Sequence, residues 1–221
     1  MSTAVIRVAT WNVHGLRGGV HNVAGVVRDE AVDVLLLQES GPRRRLRALG
    51  AALGMVACVD PPAFPRRRIQ NAVLVRSPRA SLSQRLVRFD TGSVLHPRGA
   101  MIARIGDLTA VSVHLGVAGP ARGRHAEQLL DIAGFIHEPV VIGGDLNAHP
   151  EDVVPARIAA SYLDVWVRAG GGLGSTFPSH GASARIDFLF TSPAVQPLRA
   201  WTAGGTVSDH LMVIADLQVE G

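Results

Sequence analysis

Residues 140–147 read Val140-Val141-Ile142-Gly143-Gly144-Asp145-Leu146-Asn147. The β-branched run 140–142 marks a strand buried on both faces, as in a layered α/β domain. An acid and an amide follow it directly, two residues apart. Extended backbone would point both side chains the same way. Charge at the end of a buried strand is costly unless it is paired or bound to a cation.

The same pattern recurs along the chain. Asn12 follows an apolar stretch in Thr10-Trp11-Asn12, and Glu39 follows Leu35-Leu36-Leu37-Gln38. His114 follows Val111-Ser112-Val113, Asp187 lies between Ile186 and Phe188, and Asp209-His210 precedes Leu211. Ligands of open α/β sheets bind beyond strand ends, so these positions are expected to converge on one crevice. Each alone has an ordinary explanation. Asn12 suits a turn, Glu39 a helix N-terminus, His114 a hydrogen-bonded core position, and Asp145 with Asn147 a polar turn. The ordered set is what carries information.

Working outward, strands are expected over residues 4–9, 32–37, 55–59, 72–75, 82–89, 100–105, 108–114, 140–142, 185–191 and 211–217. Helices are expected over 20–27, 42–53, 122–137 and 151–162, and a flexible loop over 170–174. Several strands follow one another with no helix between them, so the sheets should be mixed. The 221 residues suffice for one domain, 1–221, with its own core. Apolar residues form 47% and charged residues 18% of the chain, which excludes intrinsic disorder. No apolar run is long enough to span a bilayer, and the first residues lack the features of a signal peptide. With the single cysteine, Cys58, this makes the cytoplasm the default location. All 22 basic residues are arginine against 18 acids, a net charge of +4. That surface tolerates anions, but the excess alone does not establish nucleic-acid binding.

Gly144-Asp145-Leu146-Asn147 and Ser208-Asp209-His210 resemble motifs of the endonuclease/exonuclease/phosphatase superfamily. Thr10-Trp11-Asn12, Leu37-Gln38-Glu39, Val113-His114-Leu115 and Arg185-Ile186-Asp187-Phe188 support the resemblance, which runs from Thr10 to His210. It implies a four-layer α/β sandwich: two mixed β-sheets packed face to face with helices on the outside. It also implies a phosphoester hydrolase using Mg²⁺, with Mn²⁺ as substitute. Glu39 would be the principal metal ligand, with Asn12 and Asp209 near the same ion. Asp145 would orient or deprotonate water, and Asn147 would hold a phosphate oxygen. His210, paired with Asp187, would contact the scissile phosphate, and His114 would supply a second phosphate contact or a proton. Asn71 and Arg98 would lie on the substrate side. Arg124 and Gln128 would brace the loop of His114, and Thr176-Phe177-Pro178 would form a rigid turn near the pocket.

The chemistry agrees. An anionic phosphodiester needs charge neutralisation and an activated water, and an oxygen-rich donor set suits a hard cation. The runs Arg43–Arg45 and Arg66–Arg68 favour nucleic acid as the substrate of a monomeric enzyme without stable membrane association. The alternatives are a phosphatase or phospholipase C-like hydrolase of inositol phosphates or lipid headgroups, and a catalytically silent binding module. Pro61-Pro62-Ala63-Phe64 is the one apolar loop that would suit a membrane. Aromatic residues, at 5%, provide no stacking platform, and Trp11, Phe188 and Phe190 are read as packing.

Overall fold

The computed structural model describes residues 4–61, 67–76, 82–90, 95–136 and 139–219. Strands β1 (Ala4–Asn12), β2 (Val34–Gln38), β3 (Met55–Val59), β4 (Ala72–Arg76), β11 (Val195–Ala203) and β12 (Met212–Val219) form one sheet, in the order β11-β12-β1-β2-β4-β3. Strands β5 (Leu82–Arg88), β6 (Gly99–Ile105), β7 (Leu108–His114), β8 (Val140–Asp145), β9 (Leu163–Asp164) and β10 (Asp187–Thr191) form the other, in the order β5-β6-β7-β8-β10-β9. Each sheet has one parallel pair, β1 with β2 and β7 with β8, and its other pairings are antiparallel. The sheets are mixed, as the helix-free strand succession requires.

The helices are α1 (Val20–Asp29), α2 (Arg43–Leu53), α3 (Gly119–Ala133), α4 (Val153–Ala159) and α5 (Val165–Ala169). Val23 and Val27 of α1 and Leu46 and Leu49 of α2 pack with Leu35 and Leu37 on the outer face of the first sheet. Ala126 and Leu129 of α3 and Ile158 of α4 pack with Val111, Val113 and Ile142 on the outer face of the second. Between the sheets lie Val8, Val34, Leu36, Val73, Met101, Ala110, Val141 and Leu189. These are the four layers expected. Among the described residues, no helix is long and apolar enough to cross a membrane.

Strand alternation explains why one end of the sandwich is polar. Side chains two apart share a face, so the inner row of β1 runs Val8, Thr10, Asn12, and that of β2 runs Val34, Leu36, Gln38. On β7 the row is Ala110, Ser112, His114; on β8 it is Val141, Gly143, Asp145. Each starts apolar and ends polar at the same end. The polar groups bond across the gap. The Gln38 amide donates to Thr10 Oγ1 (3.2 Å) and to Ser112 Oγ (3.1 Å), and Ser112 Oγ donates to Leu37 O (2.8 Å). Gly143 lets the sheets approach, since a Cβ there would meet Leu36 Cδ1 at 2.6 Å and Thr10 Cβ at 3.0 Å.

Several elements depart from the sequence reading. β11 is unanticipated. Its Pro197 sits at a register shift on a half-exposed edge strand, which hides the alternation a strand normally shows. β9 and α5 are also new; α5 is started by Asp164, whose carboxylate accepts from the Trp166 and Val167 amides. Helix α3 begins three residues earlier than expected, with proline in its first turn. The apolar loop expected to suit a membrane lies, beyond Pro61, outside the described residues, as does Arg66.

Two glycines test the packing. A Cβ on Gly144 would overlap the Val113 carbonyl of the neighbouring strand, whereas one on Gly25, in α1, would meet nothing. Gly25→Ala should stabilise the protein by about 0.5–1 kcal/mol. Gly144→Ala should destabilise it by about 3 kcal/mol or more. Urea denaturation midpoints of the two variants check both signs.

Candidate active site

At the polar end, Asp145 is the centre. Its Oδ1 accepts from the Asn147 backbone amide at 2.9 Å, and its Oδ2 accepts from Asn12 Nδ2 at 3.0 Å. His114 Nε2 lies 3.4 Å and His210 Nε2 3.9 Å from the same Oδ2. Asp145 is 2% exposed. Burial pushes its carboxyl up to about 7, with the charge of Asp187 adding to the shift and His210, Asn12 and the Asn147 amide opposing it. The expectation of extended backbone through Asn147 fails: β8 ends at Asp145, and Asn147 has φ +49°, a conformation asparagine tolerates. The turn still returns Asn147 to the site. Its Nδ2 donates to Leu115 O at 3.1 Å and lies 3.3 Å from His114 Nε2.

Asp187 stands directly opposite Asp145 in the β8–β10 register. Its Oδ2 accepts from His210 Nδ1 at 2.8 Å and from Thr176 Oγ1 at 2.6 Å. Burial pulls the His210 imidazolium down, but the Asp187 hydrogen bond and the charges of Asp187, Asp145 and Asp209 outweigh it and set a pKa of about 9. Phe177 packs on the ring, centroids 4.8 Å apart. Thr176 and Phe177 thus do more than form a rigid turn, because they hold the Asp187–His210 pair.

His114 is in the opposite state. Arg98 Nη1 lies 2.6 Å from its Nδ1. A guanidinium can only donate, so Nδ1 accepts and the proton sits on Nε2. Burial holds this histidine well below its usual pKa, and the charges of Arg98, His210 and His125 add to the effect. His114 is therefore a neutral donor aimed at Asp145.

Glu39 sits just past β2 at φ +48°, half-buried, its Oε1 3.5 Å from Asn12 Nδ2. Among the described residues no guanidinium or imidazole pairs with it. Gly41, at φ +68°, lets this loop pack on Gly15, whose carbonyl oxygen a Cβ would approach to 2.5 Å. Asp209 is also half-buried, its Oδ2 3.3 Å from His14 Nδ1. Asp145, Asp187 and His210 lie close enough to offer one ion three ligand atoms. However, His210 Nδ1 and Asp187 Oδ2 already bond each other, which leaves Asp187 Oδ1 buried without a hydrogen-bond partner. An unpaired, half-buried Glu39 beside Asn12 fits a hard cation by charge and by donor type. The Asn12 amide, whose Oδ1 accepts from the His14 amide at 3.1 Å, presents its NH₂ to the acids. It would have to turn to give an oxygen ligand.

Asn71 is fully buried. Its Nδ2 donates to Gly99 O (2.8 Å) and Ser112 O (3.1 Å), tying the two sheets together. Gln128 bonds Asp90 in both directions, at 3.0 and 3.1 Å. Arg124 is exposed, and the loop after His114 is braced instead by Arg122, which donates to the carbonyls of Val117 and Asn147. His14 and the Arg98–His114 contact escaped the sequence reading. His14 follows the Thr10-Trp11-Asn12 motif by two residues, the one signal that would have pointed to it.

Buried strand-end acids, an imidazolium on a carboxylate and a neutral second histidine define an α/β site of hydrolase type. The chain belongs to the endonuclease/exonuclease/phosphatase family, whose model matches residues 9–210. Members of this family are phosphoester hydrolases. A comparison with curated proteins finds no match. Among solved structures, an endonuclease/exonuclease/phosphatase from Bacteroides vulgatus superposes with a TM-score of 0.81 at 20% identity, covering 98% of this chain and 100% of that one. D. rerio TDP2 complexed with single-strand DNA product gives 0.73 at 18% identity, covering 97% and 99%. A mannosyl-6-phosphatase of Bacteroides thetaiotaomicron gives 0.75 at 17%, covering 96% and 99%.

The His210–Asp187 pair makes stability depend on pH. A folded pKa of about 9 lies above the ordinary 6.5. The pair's stabilisation is therefore complete below pH 6.5 and lost as pH rises through 9. In chelator-treated protein, unfolding free energy should fall across that window by up to about 3 kcal/mol. Asp187→Asn should flatten the fall, and urea titrations at several pH values measure it.

Proposed function

We propose that this protein is a divalent-metal-dependent phosphodiesterase acting on nucleic acid as a monomer. The supporting observation is the buried carboxylate of Asp145, met by Asn12, His114 and the Asn147 amide and faced by His210. Asp145 orients the attacking water and takes its proton, a role its raised pKa suits near neutrality. His210, held charged by Asp187, faces the anionic phosphate. His114 donates its Nε2 proton in a hydrogen bond to a phosphate oxygen, and Asn147 holds another. Glu39, with Asn12 and Asp209, would hold the cation. When bound, Mg²⁺ or Mn²⁺ neutralises phosphate charge and polarises the ester. Arg98 positions His114.

Nucleic acid is preferred to a lipid headgroup or a sugar phosphate because arginines line the approach. Arg67, Arg68 and Arg98 border the same recess as Glu39. A substrate panel with Mg²⁺ or Mn²⁺ tests the reading. Single-stranded and duplex DNA, RNA, an inositol phosphate, phospholipid vesicles and a hexose 6-phosphate would be compared. Nucleic acid should be cleaved, with Asp145→Asn lowering turnover about 10²-fold or more while the fold persists. Turnover of the sugar or lipid substrate alone would move the enzyme to another class. Full activity in chelator would remove the metal.

A further inference from the structure

The recess beside Glu39 has a volume of about 330 Å³, near the lower end of the roughly 300–1,000 Å³ typical of ligand pockets. Its wall holds Arg67, Arg68, His96 and Arg98, and Glu39 stands at its catalytic end. The three guanidinium groups are differently engaged. Arg68 Nε donates to Asp60 Oδ1 at 2.8 Å, and its Nη1 donates to Gly41 O at 2.9 Å, so its charge is countered and its position fixed. Arg98 is spent on the neutral His114 ring. Arg67 is exposed, and its side chain has no hydrogen bond or ion pair among the described residues. Only its carbonyl is used, accepting from Arg88 Nη2 at 2.9 Å.

Charge decides what this recess can hold. Among the described residues no carboxylate forms an ion pair with Arg67, Arg98 feels the charges of Asp145 and Glu39 without an ion pair to either, and Arg68 cancels Asp60. Glu39 is the one acid on the wall, and it faces the catalytic end. A cation on Glu39 would leave the recess positive. A phosphate is the group a free guanidinium fork matches in geometry as well as sign. Because Arg98 touches His114 and His114 touches Asp145, the recess adjoins the place where the reacting phosphate is held.

We infer that this recess is a subsite for a second phosphate group of the substrate, with the exposed Arg67 as its principal ligand and Arg68, clamped by Asp60, as a fixed one. The inference rests on the phosphodiesterase reading above and adds a requirement: the preferred substrate carries another phosphate next to the one cleaved. A polynucleotide strand meets that requirement, and so does an inositol polyphosphate. A hexose monophosphate does not.

Three dinucleotides isolate the effect. d(TpT) has only the scissile phosphate, d(pTpT) adds one at the 5′ end, and d(TpTp) adds one at the 3′ end. With Mg²⁺, one of the two longer probes should exceed d(TpT) in kcat/KM by about 10-fold or more, through KM. Arg67→Ala should remove that advantage, so that the two-phosphate probe and d(TpT) are turned over by the variant with equal kcat/KM. Equal turnover of all three, or an advantage that survives Arg67→Ala, overturns the subsite. Calorimetric titration of Asp145→Asn with the same probes reads binding without chemistry. There, tighter binding of a two-phosphate probe that depends on Arg67 upholds the subsite even if no dinucleotide is cleaved, in which case only the nuclease reading falls. Inositol 1,4,5-trisphosphate is the second arm. If its binding alone depends on Arg67, the second phosphate is assigned to an inositol polyphosphate; if the dinucleotides alone show it, to a nucleic acid strand.

Discussion

Asp145 and Asp187 face each other across adjacent antiparallel strands, both nearly inaccessible to water. Like charges directly opposite in a sheet repel, and burial removes the solvent that would screen them. The pair persists because groups from elsewhere are brought to it. Asn12 arrives from the central strand of the other sheet, and His210 from the residues before β12 of that sheet. Trp11 Nε1 donates to His210 O at 2.8 Å and Ser208 Oγ to Asn12 O at 2.7 Å, which ties β1 to the approach to β12. The relative placement of the sheets is thus set by the same contacts that make the two carboxylates tolerable. Site assembly and sandwich assembly are one problem.

The inner faces show how the chain solves it. The central strands start apolar at one end of the gap and end in an amide, acid or imidazole at the other, with Thr10, Gln38 and Ser112 in the layer between. The middle layer matters most. Gln38 and Ser112 bridge the sheets, as Asn71 does with Gly99 and Ser112. Buried polar groups of this kind are tolerable because most of them find a hydrogen-bond partner within the layer or across the gap. The orphaned oxygens of Asn71 and Asp187 are exceptions, and both lie in or next to the reactive layer.

Much of this was readable in the sequence because it depends on alternation along one strand. The runs ending at Asn12, Glu39, His114, Asp145 and Asp187 announced both the buried strands and their polar ends. What resisted reading depends on contacts that strand periodicity does not encode. Arg98 meets His114 only because β6 pairs with β7, and Arg122 reaches Asn147 only because α3 lies over that turn. Asn71, which the resemblance puts on the substrate side, donates its amide nitrogen to two carbonyls of the facing sheet, a tie that the sequence does not announce. β11 was missed because Pro197 and an exposed face interrupt the pattern that marks a strand, and its membership in the sheet is fixed by pairing with β12. Asp60 gave no local sign that it clamps Arg68.

The two histidines at Asp145 show how partner choice divides labour at one carboxylate. Both present Nε2 to Asp145 Oδ2, and both are buried, so burial alone would make both neutral. The difference lies at Nδ1. On His210 that nitrogen donates to the Asp187 carboxylate, which stabilises the imidazolium against desolvation. On His114 it accepts from the Arg98 guanidinium, which fixes the tautomer and opposes a second proton. One ring therefore brings a full positive charge to the site and the other a neutral, directed hydrogen bond. A second imidazolium would have to sit beside Arg98 and His210 with no carboxylate of its own. A second neutral ring would leave Asp145 and Asp187 facing each other with no cation between them. Exchanging the partners at Nδ1 would exchange the roles, so Arg98, just before β6, and Asp187, on β10 of the same sheet, specify the charge pattern that an anionic phosphate would meet.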